Sequence, residues 1–229
     1  MITIMESMKQ KTNFKPKERK LFNKIYVWEK DSLPQDVDLD AALEKIVKII
    51  PKHFFRNVEG IYIGQFSELI DRSLNAMYAD NAIYISSSIF NTEELVTNIV
   101  HEIAHSMEET IAQFVGTEDQ IANEFLVKRN QLKKILHANG YNVTKQDFDN
   151  LEYDEKFDEF LYNEVGYPVM NTITANIFVS PYGATCYREY YANGFEHYFL
   201  NDFSAVKTIS PRLFDLLTKI HKISFFKNY

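Results

Sequence analysis

The chain has 229 residues, of which 45% are hydrophobic and 25% are charged, a composition typical of a globular protein with a substantial core. Its formal net charge of -7 argues against a general nucleic-acid binder, because no broad basic face is available. The single cysteine, Cys186, excludes an internal disulfide and a metal site built from cysteines.

The first part of the chain carries basic side chains around Pro16 and has little to bury, which predicts a flexible basic arm over residues 1–20. This segment lacks the continuous apolar run and small-residue cleavage site of a secretory signal peptide. No run in the sequence approaches the length of a transmembrane helix. A soluble protein is therefore expected.

An N-terminal lobe is predicted over residues 21–115. Hydrophobic periodicity and turn residues predict one helix and two short strands in it, over residues 40–50, 60–64 and 81–86. The stretch 65–79 between the strands is ambiguous between loop and helix. The second strand directly precedes the next helix, a place where an extended peptide could pair with it by strand addition.

A helix is predicted from about Glu93 to Val115, because apolar residues recur at three- and four-residue steps after the N-cap Asn91. Its polar face carries an HExxH sequence, His101 to His105. The two histidines are one turn apart and can reach one metal ion, while Glu102 lies beside them, free to act on a metal-bound water as general base. An amphipathic helix that carries two histidines by accident is the structural alternative.

Residues 116–179 are predicted to form a helical insertion. It contains a helix over 118–139, ended by Gly140, and then an acidic stretch, 145–164, with aromatic residues at roughly helical steps. The acidic side chains predict a solvated helix surface, because the spacing of a calcium loop is missing; attraction of a basic substrate is the alternative. Residues 171–180 are expected to be extended or loop.

A helical C-terminal part is predicted over residues 180–229. It starts with a turn at Pro181-Tyr182-Gly183, and helices follow over 187–200 and from Pro211 to Ile220. Taken together, residues 21–229 are predicted to form a single domain of the α+β class that is mostly helical.

Two histidines leave a catalytic zinc site one protein ligand short. The metzincin class is excluded, because Glu108 and Ile111 stand where its glycine and third histidine are required. A glutamate from a later helix is the remaining solution, and Glu189 is the best candidate. Glu196 and His197 lie on the same predicted helix and are alternative ligands.

The surroundings of Glu189 resemble those of a known group of zinc peptidases with HExxH and a later glutamate. The group includes the peptidase domain of anthrax toxin lethal factor and the secreted Pro-Pro endopeptidases. Its pattern is tyrosine-glycine, a short gap, then glutamate, two aromatics, alanine, a variable pair and phenylalanine. This chain has the same order and spacing in Tyr182, Gly183, Glu189, Tyr190, Tyr191, Ala192 and Phe195. The resemblance covers mainly residues 91–109 and 181–220.

This resemblance implies a zincin-like fold, with a small sheet and the active-site helix on one side of a cleft and the C-terminal helices on the other. It implies one zinc ion bound by His101, His105 and Glu189. Glu102 then acts as the base, and Tyr182 matches the tyrosine that donates a hydrogen bond to the oxyanion.

Two further positions match residues that orient the ligands in these peptidases. Glu108 stands where the relatives have aspartate, near enough to His105 to orient it. Asn193 stands at an acidic position of the group, and its amide oxygen can accept a bond from a ligand histidine without adding charge.

The expected function is that of a zinc metalloendopeptidase, which hydrolyses a protein or peptide substrate with a zinc-activated water and Glu102 as general base. The alternative is a non-catalytic binding or structural protein that keeps the zincin scaffold. Substrate preference in the relatives depends on variable regions such as 116–179, so it is not carried over to this chain.

Overall fold

The structure is a computed structural model that describes residues 17–115, 118–201 and 203–222. The chain divides into two compact units. The first comprises the described residues up to Lys45 together with Arg56–Ile99, and the second comprises Ile46–Phe55 together with the described residues from Val100 onward. The predicted α+β class with a high helix content is confirmed, whereas the zincin-like arrangement around a cleft stays a prediction.

The first unit contains a mixed five-stranded sheet with the strand order β1-β2-β3-β5-β4. Its strands are β1 (Lys17–Leu21), β2 (Ile25–Glu29), β3 (Gly60–Ile63), β4 (Ala76–Ala79) and β5 (Ala82–Ile85). The three inner strands run parallel, and each outer strand is antiparallel to its neighbour. The two strands predicted from the sequence are confirmed as β3 and β5.

The strand that precedes the HExxH helix lies inside the sheet. β5 pairs with β3 on one side and with β4 on the other, so the expectation that a peptide adds to this strand is wrong. The tight turn from β4 into β5 explains the difference. Its residues Asp80 and Asn81 have φ angles of 50° and 59°, which Asp and Asn adopt more readily than most residues, and the turn returns the chain as a hairpin.

The predicted basic arm ends in a strand. Residues 1–16 lie outside the described part of the chain, but Lys17–Leu21 pairs with β2, so order starts earlier than expected. Arg19 explains why this basic segment is held. Its guanidinium donates to the carboxylates of Glu29 at 3.1 Å and Asp40 at 2.5 Å, which gives the positive charge partners within the unit.

The predicted helices of the N-terminal half are present as α1 (Leu39–Ile49) and α3 (Thr92–Val115), and the short helix α2 (Ser67–Asp71) lies in the ambiguous stretch before β4. α3 is the helix of the HExxH sequence. Its predicted N-cap is confirmed, because the Asn91 side-chain oxygen accepts a hydrogen bond from the Glu94 N–H at 2.9 Å.

The described residues of the second unit contain helices but no strand. This unit includes the C-terminal parts of α1 and α3, so it contains the HExxH sequence, and the 3-10 helix Lys52–Phe55. Its further helices are α4 (Glu118–Ala138), α5 (Glu155–Glu159), α6 (Tyr167–Thr174), α7 (Tyr187–Leu200), α8 (Phe203–Ile209) and α9 (Pro211–Lys222). A π-helical segment, Phe160–Val165, follows α5, and a 3-10 turn, Pro181–Ala184, precedes α7. α4, α7 and α9 confirm predicted helices, whereas α8 was not predicted. In the described part of the chain, no helix has both the length and the apolar character needed to cross a membrane.

Two expectations for the insertion are wrong in part. The acidic stretch 145–164 is helical only from α5 onward, because Asp147 and Asn150 each accept a hydrogen bond from the backbone N–H two residues ahead and turn the chain. Asp154 then caps α5 by accepting from the Phe157 N–H at 3.0 Å. The stretch 171–180 begins inside α6, so its first residues are helical instead of extended.

Candidate metal centre

The two histidines of the HExxH sequence lie one turn apart on α3 with their rings close together. The ring centroids of His101 and His105 are 4.8 Å apart. Only 17% of the His101 side chain and 5% of the His105 side chain are exposed. Imidazoles buried to this degree need polar partners, because their nitrogens have lost contact with water.

Glu189 supplies such a partner to both rings from the first turn of α7. Its Oε2 lies 3.0 Å from His101 Nε2, and its Oε1 lies 3.5 Å from His105 Nε2. The proximity of Glu189 to the two histidines, which the sequence predicted, is therefore present. A carboxylate in the first turn of a helix is also favoured by the helix dipole.

The spacing of these three side chains fits a tetrahedral zinc site. Two donor atoms at about 2.0–2.1 Å from zinc lie about 3.4 Å apart when the angle between them is tetrahedral. The observed nitrogen–oxygen distances of 3.0 and 3.5 Å bracket this value. Two imidazole nitrogens and one carboxylate also form a donor set that catalytic zinc sites use, with a fourth position left open.

Glu102 is a second carboxylate near the two rings. The ligand atoms of His101, Glu102 and His105 lie within 4.8 Å of one another, which makes Glu102 a geometrically possible ligand. Glu189 is the other carboxylate, and each of its two oxygens faces one Nε2, at 3.0 and 3.5 Å. The centre thus offers two carboxylates to an ion, of which Glu189 is the ligand predicted from the sequence.

The outer nitrogen of each imidazole faces a further carboxylate. His105 Nδ1 lies 2.5 Å from Glu108 Oε1, and His101 Nδ1 lies 3.4 Å from Glu196 Oε2. Arg188 Nε is 3.1 Å from both Glu108 Oε1 and His105 Nδ1. The arginine N–H and a protonated Nδ1 are both donors, so both point to the Glu108 carboxylate. A histidine that donates from Nδ1 has its lone pair on Nε2, the form in which an imidazole can bind a metal.

The carboxylates determine the electrostatics of this centre. Burial lowers the pKa of His101, but hydrogen bonds to Glu189 and Glu196 more than offset it and raise the pKa to about 10. Burial likewise opposes a rise in the pKa of His105, which Glu108 and Glu189 nevertheless bring above its ordinary value. The carboxylates create a negative potential at the two imidazoles. This potential favours a bound proton, and it also favours a metal cation.

For Glu102, burial and the neighbouring charges act on the pKa in the opposite directions to those at the histidines. It is 5% exposed, and this burial raises the pKa of its carboxyl above the ordinary value, while His105 and His101 act against the shift. A raised proton affinity helps a carboxylate to accept a proton from water and to return it later, which are the two tasks of a general base.

Tyr182 lies in the 3-10 turn that precedes α7 and is 37% exposed. Burial of the ring, together with the carboxylates of Glu189 and Asp158, raises the pKa of its phenol above the ordinary value. The hydroxyl therefore keeps its proton at neutral pH and is a hydrogen-bond donor. Burial and the same two carboxylates also raise the pKa of Tyr167, a residue that sequence reasoning did not single out.

Asn193 occupies a different place from the one expected. Its side-chain oxygen accepts a hydrogen bond from Ser180 Oγ at 2.5 Å, and its Nδ2 donates to the Glu189 carbonyl oxygen at 2.8 Å. The amide thus ties α7 to the preceding turn and contacts the backbone of Glu189. The expected bond to a histidine is not among the contacts of the described residues. The Ser180 hydroxyl explains the difference, since it donates to the amide oxygen in place of an imidazole.

The two alternative ligands, Glu196 and His197, lie in different positions relative to the histidines. Glu196 contacts the outer nitrogen of His101, away from the Nε2 atoms that Glu189 faces. For His197, the interactions of the described residues include no bond from its ring to either histidine. Its exposure is intermediate, and it lies on the same helix as Glu196.

Arg129 of α4 was missed in the sequence and holds the backbone that leads into α7. It is 1% exposed, and its NH1 donates to the carbonyls of Ala184 and Thr185 at 2.9 Å each, while NH2 donates to the Asp147 carbonyl at 2.8 Å. The guanidinium lies 3.8 Å from the centroid of the Phe157 ring. A charged residue within the apolar stripe of a predicted helix was the signal that could have identified it.

Replacing Arg129 by Met is expected to lower the free energy of unfolding by about 3 kcal/mol or more, because three buried carbonyls lose a charged donor. Urea unfolding followed by circular dichroism measures the change. Lys134→Met is the control, since it also replaces a basic side chain by Met, at an exposed position of α4, and should stay within about 0.5 kcal/mol. Equal effects of the two substitutions would contradict the role given to Arg129.

Comparisons of this chain with protein-family models, with curated proteins and with solved structures found no match.

Proposed function

We propose that this protein is a zinc-dependent endopeptidase. The observation that carries the proposal is the position of Glu189, whose two carboxylate oxygens lie 3.0 and 3.5 Å from the Nε2 atoms of His101 and His105. These residues are far apart in the sequence, and the distances fit a tetrahedral ion. The resemblance of the sequence around Glu189 to zinc peptidases supports a peptide as the substrate.

The chemistry follows from the groups around the donor set. When bound, zinc supplies a Lewis acid that lowers the pKa of water and polarises a carbonyl group. Glu102 accepts a proton from the attacking water and delivers it to the amine that leaves. The Tyr182 hydroxyl donates a hydrogen bond to the oxygen of the substrate carbonyl as negative charge develops there.

Glu108 and Arg188 contribute by holding His105. The imidazole donates from Nδ1 to Glu108, and Arg188 donates from Nε to the same carboxylate oxygen at 3.1 Å. This arrangement fixes both the orientation of the ring and the nitrogen that faces the ion. Outer contacts of this kind contribute about 10- to 100-fold to metal affinity in zinc proteins.

Metal analysis and peptide cleavage test the proposal directly. The purified protein is expected to contain one zinc ion per chain and to cut a random peptide library at internal bonds. Removal of zinc by 1,10-phenanthroline should abolish cleavage, and addition of zinc should restore it. Circular dichroism before and after chelation shows whether the fold survives, so that loss of activity is assigned to loss of metal.

Three results would contradict the proposal. Cleavage that continues unchanged after complete removal of the metal would exclude zinc chemistry. Stoichiometric zinc without any cleavage would favour the alternative of a non-catalytic protein that uses the site for structure or binding. Absence of metal and of cleavage together would reduce the cluster to a buried network of ion pairs.

A further inference from the structure

We propose that Glu196 is a positioning residue for His101 and sets which of its ring nitrogens faces the metal. This inference rests on the proposed zinc site. It concerns a residue whose sequence position suggested a competing ligand, and the geometry assigns it a different task.

The contact of Glu196 is with the outer edge of the ring. Its Oε2 lies 3.4 Å from His101 Nδ1, whereas Glu189 Oε2 lies 3.0 Å from Nε2 of the same ring. The two carboxylates therefore hold the imidazole from opposite edges. The Glu196 and His101 side chains are only 16% and 17% exposed, so water screens this ion pair weakly.

The ring cannot serve a metal equally well in both tautomers. Both edges of the ring face a carboxylate, so a preference for one tautomer arises only when a metal takes the place of the proton on Nε2. The proton that remains would then be on Nδ1, beside the Glu196 carboxylate, which favours a proton over a lone pair at that position. Glu196 thus favours the tautomer that is competent for metal binding.

The position of Glu196 on α7 explains why it can act on the same site as Glu189. Residues 189, 193 and 196 follow at steps of four and three, so they lie on one face of the helix. Asn193, in the middle, is occupied by Ser180 and by the backbone of Glu189. Glu196 is therefore the residue of this face that reaches the outer nitrogen of His101.

Each histidine then has a carboxylate beside its Nδ1. For His105 it is Glu108 of α3 at 2.5 Å, and for His101 it is Glu196 of α7 at the longer distance of 3.4 Å. Glu189 and Glu196 lie on the same helix, α7. This helix therefore contributes one ligand of its own and orients a ligand that belongs to α3.

Zinc affinity of purified variants, measured by competition with a chelating dye, tests the inference. Glu196→Ala is expected to weaken zinc binding about 10- to 100-fold, the usual effect of losing a carboxylate behind a ligand histidine. Glu196→Gln keeps an oxygen acceptor without the charge, so it should recover most of the affinity and lose about tenfold or less. His197→Ala, at the next position of the same helix, is the matched control and should bind zinc as the wild type does.

The visible spectrum of the cobalt-substituted protein gives a second measurement that does not depend on activity. Glu196→Ala should change the cobalt absorption bands, because His101 is held less firmly, and Glu196→Gln should restore them. Wild-type affinity and spectrum in Glu196→Ala would overturn the inference. Equal losses in Glu196→Ala, Glu196→Gln and His197→Ala would also overturn it, since they would indicate general damage to α7.

This experiment separates the inference from the proposed function. A wild-type protein that binds zinc but cuts no peptide would end the peptidase proposal, and the affinities of the variants would still decide the role of Glu196. A wild-type protein that binds no zinc would overturn both.

Discussion

Replacing Glu102 by Gln is expected to leave one zinc ion bound per chain and to lower kcat/KM for peptide cleavage by about 10²- to 10⁴-fold, the range that a general base contributes. The amide keeps the shape of the side chain but cannot accept a proton from water. The Glu189 carboxylate, which faces both Nε2 atoms at 3.0 and 3.5 Å, is untouched by the change. Elemental analysis and cleavage of a fluorogenic peptide measure the two quantities on one sample.

Glu102→Gln should lose activity while it keeps its zinc, so the two measurements together distinguish a general base from a ligand. Glu164→Gln makes the same chemical change at an exposed position of the second unit and serves as the control. Full activity of Glu102→Gln would remove Glu102 from the mechanism. Loss of zinc together with activity would show that Glu102 is itself a ligand, the second geometric option at this site.

Glu189→Ala is expected to weaken zinc binding by more than about 100-fold, which exceeds the loss typical of contacts behind a ligand. The substitution removes the charged member of the donor set and leaves two imidazoles, too few protein ligands for a catalytic zinc site. Peptide cleavage should fall with the bound metal. Titration of the variant with zinc against a chelating dye gives the affinity.

Stability provides an independent measurement for the same variant. Burial acts to raise the pKa of Glu189, but His101 and His105 hold it below its ordinary value. In the metal-free protein, the carboxylate therefore stabilises the fold above its unfolded-state pKa, and this contribution disappears as the pH falls through the lower folded-state pKa. At neutral pH, metal-free Glu189→Ala should thus unfold at lower urea than the metal-free wild type. Unchanged zinc stoichiometry and affinity would move the third ligand to another side chain.

Glu102→Gln and Glu189→Ala are most informative as a pair. The first should separate zinc content from activity, and the second should remove both. The reverse result, with zinc lost from Glu102→Gln and kept by Glu189→Ala, would exchange the roles of the two carboxylates. Either outcome is decided by zinc content, without knowledge of the natural substrate.

Local features of the fold were predictable because their signals lie close together in the sequence. The N-cap Asn91 and the regular apolar spacing identified α3, and a proline after serine identified the start of α9. The strands β3 and β5 followed from short runs of isoleucine and tyrosine. Strands that depend on pairing with a neighbouring strand were not predictable. β1 and β4 carry weak strand signals and form because a neighbouring strand supplies their hydrogen bonds.

Local sequence patterns are sufficient to predict the donor types of the site: two histidines one turn apart, a glutamate beside them, and a later helix that carries further carboxylates. They do not determine which carboxylate meets which nitrogen. Glu189 and Glu196 lie on one helix face and His197 lies next to them, so spacing alone leaves each of these three a candidate ligand.

The pairing of these side chains with the histidine nitrogens depends on the packing of α7, which orients the whole helix. That orientation places Glu189 at the two Nε2 atoms, Asn193 at Ser180, and Glu196 at the outer nitrogen of His101. The contacts of Arg129 also depend on the tertiary structure. Its three carbonyl partners belong to loop and turn backbone that is remote in the sequence, and no local pattern records such contacts.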